Sequence, residues 1–265
     1  MSGEGAPGSG LDACADLVKR GDRERFMATM ALAPGERARV LPLYAFNLEI
    51  ARAPWASPEP MIAEMRLQFW HDVLEQIAAG KPHHAHELAG PLRAVIEGQG
   101  LPLAPLQEMV AARRHDLERA PFARGGDLLA YLDATAGNLL WLAGLALGAG
   151  QGDETALRAI GRAQGLANWL RAVPVLEARG RQPLPDGRPE ATADLARTGL
   201  ESLAAARRLP LARPARKAAL AAFMARPVLS RAMREPARAA DGQLEPSEFR
   251  RRLRLLRLAL IGGRV

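Results

Sequence analysis

The sequence predicts an all-α protein. Leucine, alanine and arginine dominate, aromatic residues make up only 5% and β-branched residues are sparse, a balance that favours helices and leaves few places for strands. Apolar residues recur at helical spacing between stops rich in proline and glycine. With 265 residues and 48% hydrophobic content, the chain can bury a sizeable core.

Residues 1–10, MSGEGAPGSG, are rich in glycine and serine and are expected to be disordered, with residues 11–265 forming a single domain. Helices are expected at about 12–31 and 35–53. The stretch SPEPMIAEMRLQFWHDVLEQIAAGKP opens with Ser57 as N-cap and Pro58 at the first helical position. It places Ile62, Met65, Phe69, Val73 and Ile77 on one face and stops at Gly80 and Pro82. Further helices follow at 88–98, 103–119, 126–148, 153–172, 190–207, 213–225 and 246–261. The apolar run NLLWLAGLALGAG, residues 138–150, is shorter than the roughly 20 residues that span a bilayer and reads as a core helix. Trp70, Trp141 and Trp169 lie in or beside apolar helices, where core packing accounts for them. Connections such as ARAPWASPEP and RGRQPLPDGRP are short, so no linker divides the chain and no internal repeat appears.

The formal charge of +7 and pI near 10.5 favour an anionic partner, such as a membrane surface or a phosphorylated ligand, although an arginine-rich genome produces the same bias with no function attached. Nucleic acid is not expected, because no recognisable module is present and aromatic residues that would stack bases are few. One cysteine, Cys14, rules out an internal disulfide and suits a reducing compartment. The first ten residues resemble neither a secretory signal nor a transit peptide, so the expected location is the cytoplasm, with any membrane contact peripheral. KPHHAHE groups His83, His84 and His86 without a cysteine and reads as a loop of solvated histidines rather than a metal site. Near the C-terminus, EPSEFRRRLRLLRLALIGG aligns Phe249, Leu253, Leu256 and Leu260, with Arg250, Arg251, Arg254 and Arg257 off that stripe. Two readings stay open for residues 246–261: a basic helix lying on an anionic membrane, or leucines packed on the core with arginines in water.

Three stretches, in order, resemble the squalene/phytoene synthase family. LPLYAFNLEIARAPW is similar to the family's Tyr-Ala-Phe-Cys-Arg followed by a metal-binding Asp-Asp-x-x-Asp. HDLERAPFARGGDLLAYLDATAGNLLWLAGLALG resembles its Asp-Leu pair and later Ala-Gly helix, with Asp116, Tyr131, Ala136 and Gly137 in the matching places. QGLANWLRAVPVLEARGRQPLP resembles Leu-Thr-Asn-Ile-Leu-Arg-Asp, a second Asp four residues on, and Arg-Gly-Arg leading to Leu-Pro. The resemblance implies an isoprenoid-synthase-like helical bundle. It also implies that Tyr44, Asn168, Arg171, Arg179 and Arg181 are what remains of a diphosphate pocket; capping helices or pairing with surface acids is the other reading of the last four.

The departures bear on the chemistry. Where the resemblance places the first aspartate cluster, this chain has Ala51, Arg52 and Trp55; where it places the second pair, Ala172 and Leu176. Ionising an allylic diphosphate leaves a group carrying about three negative charges, which Mg²⁺ held by carboxylates must absorb. Alanine, leucine and tryptophan offer no hard oxygen. Glu49 and Glu177 lie one residue out of place, and about 100° of helical turn points them elsewhere. Trp55 would either plug the pocket or face a partner.

YAFNLEIA, MRLQFW, IGRAQGLANWLRAVP and RGRQPLP further resemble a branch of that family without these aspartates, whose role is assembly of respiratory complex I. The implied protein is non-catalytic and needs no cofactor, with a complex I subunit or assembly intermediate as partner. The alternatives are a divergent prenyl transferase, for which Mg²⁺ would be required, and a carrier of a prenyl or other lipid ligand.

Overall fold

A computed structural model describes residues 7–57, 59–82, 85–118 and 120–260. Helices follow one another as α1 (Pro7–Gly21), α2 (Arg23–Met30), α3 (Pro34–Arg52), α4 (Pro60–Ala78), α5 (Ala89–Gln99), α6 (Leu103–Arg113), α7 (Gly125–Leu132), α8 (Asn138–Ala146), α9 (Glu154–Ala178), α10 (Pro189–Arg208), α11 (Arg213–Ala219), α12 (Ala225–Arg234), α13 (Ala237–Ala240) and α14 (Glu248–Leu260). No strand occurs among the described residues.

Local sequence explains where the helices break. The helix expected at 12–31 is split in two, because Asp22 caps α2 by accepting a 2.9 Å hydrogen bond from the Arg25 N–H. Helix α1 begins at Pro7, inside the segment expected to be disordered; residues 1–6 lie outside the described residues. After α3, a single 3₁₀ turn, Ala53–Trp55, carries the chain sideways. Helix α4 starts at Pro60 rather than Pro58, which is outside the described residues. Its buried face is Ala63, Leu67, Trp70, Leu74 and Ile77, while Met65 is 66% exposed. The expected face was therefore rotated, although Val73 and Ile77 do go inside.

Helix α9 is the axis of the molecule, packing against α8, α10, α12 and a π-helical turn, Asp133–Gly137, that joins α7 to α8. Such a turn sits where regular spacing is interrupted. Gly161 and Gly165 of α9 let it come close: a Cβ on Gly161 would collide with the Ala136 carbonyl, and one on Gly165 would lie 2.7 Å from the Ala136 Cβ. The run Gly125–Ala146 is long and apolar enough to cross a membrane, but its most apolar window is 67% buried among the other helices, so it serves as core.

The core gathers Phe46, Leu67, Met109, Leu142 and Leu166, each essentially without solvent exposure, and full burial of such side chains contributes about 1.5–3 kcal/mol apiece. Trp70 and Trp141 are buried with them. His86 is not a solvated loop residue: its ring lies 5.0 Å from Trp70 and 5.5 Å from Phe69, and its Nδ1 accepts from the Leu88 N–H. His83 and His84 lie outside the described residues. A smaller cluster of Ala28, Leu220, Phe223, Met224, Leu255 and Leu258 attaches α14. Of the two readings of residues 246–261, packing of the Phe249, Leu253, Leu256 and Leu260 stripe on the core does not hold, since these four face outward and Leu255 and Leu258 go in.

Candidate functional site

Helices α3, α6, α7 and α9, with the start of α2 and the π turn, surround a cavity of about 250 Å³. Leu48, Leu132, Leu139, Ala172 and Leu176 supply its apolar wall, with Trp55 and Trp169. Asp22, Arg25, Asn47, Arg113, Asp116, Tyr131, Asn168 and Arg181 supply the polar part.

Each acid of that lining is already matched to an arginine. Asp22 holds Arg25 at 2.8 Å. Asp116, 5% exposed, accepts hydrogen bonds from Arg113 at 3.2 Å and from the Tyr131 hydroxyl at 2.8 Å, and that hydroxyl accepts from Arg113 at 2.5 Å. Burial works against the Arg113 charge, but Tyr131 and Asp116 outweigh it and hold the guanidinium more firmly protonated than usual. Burial also drives the Tyr131 hydroxyl far above its ordinary pKa, so it stays a donor to Asp116. The Nε of Arg113 is buried without a hydrogen-bond partner among the described residues.

The residues singled out in the sequence separate into distinct environments. Asn168 lies on the cavity wall, where its Oδ1 accepts from Gln164 at 3.0 Å and Arg171 at 2.8 Å. Arg181 also lines the cavity; it donates to the Asp116 carbonyl at 2.8 Å and stands 5.5 Å from the Trp55 ring. Arg179 lies 4.8 Å from the same Trp55 ring, in a neighbouring cleft that includes Pro54, Ser57 and Leu117. Arg171 does not line the cavity: it grips both carboxylate oxygens of Glu24, at 2.9 and 3.0 Å, and reaches Glu245 at 3.4 Å. Tyr44 is buried beneath Arg25, 5.1 Å from its ring, and burial pushes its hydroxyl up to about 12.

Of the positions where the resemblance places metal ligands, Trp55, Ala172 and Leu176 line the cavity, while Arg52 is exposed and Ala51 half-buried outside it. Glu49 and Glu177 do not reach the lining. Among the described residues no three His, Cys, Asp or Glu side chains converge on a point that could hold a metal ion. Mg²⁺ demands near-octahedral hard oxygens, and this donor set of indole, methyl groups and arginine-paired carboxylates does not fit it. Sequence reasoning missed Asp22, Arg25, Asn47 and Arg113. The usable signal was the three-residue spacing of Asp22 to Arg25 and of Arg113 to Asp116, which brings charges onto one helical face.

An all-α bundle around an arginine-rich internal cavity defines the class, and comparison with known proteins names the family. The squalene/phytoene synthase family model matches residues 18–259, and the chain belongs to that family. Over 187 residues it is 30% identical to the NADH dehydrogenase (ubiquinone) complex I assembly factor 6 of Bos taurus, and over 186 residues 31% identical to that of Homo sapiens. Each match covers 69% of this chain but only 56% and 55% of those proteins, so the chain spans little more than half their length. Phytoene synthase 3 of Zea mays is 25% identical over 182 residues, covering 65% of this chain and 42% of that protein. Among solved structures, a dehydrosqualene synthase superposes with a TM-score of 0.78 at 17% identity, over 95% of this chain and 96% of that one. This establishes the isoprenoid-synthase fold.

Proposed function

We propose that this protein is a non-catalytic member of its family that serves as an assembly or scaffold factor for respiratory complex I, working in the cytoplasm against the inner face of the membrane. The observation that carries the reading is the cavity's charge pattern. Hydrophobic residues stand at the metal-ligand positions Trp55, Ala172 and Leu176, and the remaining acids Asp22 and Asp116 are committed to Arg25 and Arg113. Without carboxylates to hold Mg²⁺, no metal ion absorbs the negative charge that develops on a leaving diphosphate. The cavity volume of about 250 Å³ is also at the small end of ordinary small-molecule sites, roughly 300–1,000 Å³. The curated relatives named as complex I assembly factors favour the partner.

A second reading, a carrier of a single prenyl or other lipid molecule, draws on the apolar wall of Leu48, Leu132 and Leu139 beside Arg25 and Arg181. Native mass spectrometry of freshly purified protein separates the two, since a carrier retains a lipid and a scaffold does not.

Deleting the gene in the source organism tests the assembly role. Loss of assembled complex I on native gels, restored by the wild-type gene, is the expected result. Normal complex I in the deletion strain would overturn the reading.

A further inference from the structure

The outer face of α14 takes no part in the cavity. On a helix turning about 100° per residue, Phe249, Leu253, Leu256 and Leu260 fall within about 60° of one another, with Leu258 opposite. The solvent exposures follow: the four are 73%, 53%, 58% and 78% exposed, while Leu255 and Leu258 are buried against Phe223, Met224 and their neighbours.

The inner face is held by ion pairs and a backbone contact. Arg251 pairs with Glu24 at 3.0 Å, Glu245 at 2.7 Å and Glu248 at 2.9 Å, and Arg254 donates to the Phe223 carbonyl at 2.5 Å. The outer stripe is thus not needed to hold the helix in place. A row of large apolar side chains left in water marks an interaction surface.

The charge around the stripe indicates what covers it. Arg250 and Arg257 flank it on one side, and among the described residues neither side chain has an ion-pair or hydrogen-bond partner. Burial, and then the charges of Arg226, Arg207 and Arg257, make Arg254 easier to deprotonate than an ordinary arginine, which places three further arginines within electrostatic reach of it. The helix's one acid, Glu248, is already shared by Arg23, Arg251 and Arg252. An apolar stripe along the helix axis with an unneutralised basic rim matches a helix lying in the plane of an anionic bilayer, where arginine stems reach from the apolar layer to phosphate.

We propose that α14 is a membrane-docking helix: Phe249, Leu253, Leu256 and Leu260 enter the acyl boundary of an anionic leaflet while Arg250 and Arg257 hold its phosphate headgroups. The proposal rests on the surface location in the reading above and assigns it to a segment, but it does not require complex I.

The test uses the full chain with sedimented vesicles of phosphatidylcholine alone or mixed with phosphatidylglycerol. Wild type should bind the mixed vesicles and lose binding at high salt. Leu253→Ser with Leu256→Ser should lower partition at least about tenfold, and Arg250→Gln with Arg257→Gln about thirtyfold. Because these side chains point outward, circular dichroism and Tm should stay at wild-type values, and two independent variant pairs guard against one misfolding. The proposal is overturned if wild type ignores the mixed vesicles, binds both kinds equally, or is matched by both variant pairs. It is also overturned if the wild type is a dimer that the serine variant converts to monomer, which would assign the face to a second copy. Vesicle binding is read on purified protein and complex I on cells, so failure of one reading leaves the other standing.

Discussion

The guanidinium carbon of Arg181 lies 5.5 Å from the centre of the Trp55 ring while the same group donates to the Asp116 carbonyl at 2.8 Å. Trp55 stands where the family resemblance places the first acid cluster, and Arg181 follows the second. Two segments that carboxylates and metal would otherwise join are held together here by an arginine on an indole.

That contact should be measurable. At a half-exposed site a cation–π pair contributes about 0.5–1 kcal/mol. A double-mutant cycle of Trp55→Ala and Arg181→Ala, read by urea unfolding, is expected to give a coupling energy in that range. A coupling of zero would show that the ring and the guanidinium are neighbours without being partners.

The Asp116 network should respond unequally to its two partners. Asp116→Asn leaves the buried Arg113 charge uncompensated, and breaking such a pair costs about 3–5 kcal/mol. Tyr131→Phe removes one hydroxyl and should cost about 1–3 kcal/mol. Chemical denaturation of both variants checks the order, and a Tyr131→Phe loss as large as that of Asp116→Asn would contradict it.

These charges also mark how much of the site was legible in the sequence. Helix existence could be read almost throughout, because apolar periodicity and glycine or proline stops are local signals. Which face turns inward is decided by neighbours distant in sequence. Helix α4 therefore buries Ala63, Leu67 and Trp70 instead of Ile62 and Met65, and α14 buries Leu255 and Leu258 instead of the longer stripe on its other side. Helix α12 went unread because Pro227, Arg226 and Arg231 obscure its apolar face of Val228, Leu229 and Ala232. Arg171 carried the right chemistry for an anion, but Glu24, 147 positions away, claims it.

Arg171 accordingly has a structural consequence. It joins Glu24 of α2 to Glu245 just before α14, and Arg251 contacts the same two acids. Because Arg251 still pairs with Glu24, Arg171→Ala should cost less than a fully broken buried pair, about 1–3 kcal/mol, and loosen the C-terminal segment. Limited trypsin digestion is expected to cut at Arg250–Arg257 faster in the variant. Unchanged cutting would mean that Leu255 and Leu258 alone secure the helix.

Stability should fall in alkali. Burial, helped by Glu87, raises the Cys14 thiol from 9.0 to about 12, and burial raises Tyr44 from 10.0 to about 12. Between those values the unfolded chain has released protons that the folded chain retains, so stability is intact below pH 9 and declines as pH rises toward 12. Each group contributes at most about 1.4 kcal/mol per pH unit. Cys14→Ala should flatten the decline between pH 9 and pH 10, where Tyr44 does not yet act. An unaltered slope would show that the thiol is not the group responsible.

The central claim is that the fold persists without its metal-assisted chemistry. Its most direct test is incubation of the purified protein with farnesyl or geranylgeranyl diphosphate, Mg²⁺ or Mn²⁺, and NADPH, beside an active family member, with mass analysis of the extracted products. No squalene, phytoene or cyclopropyl intermediate is the expected result. Metal-dependent formation of any of them would contradict the non-catalytic reading and require carboxylates other than Asp22 and Asp116 to hold the metal.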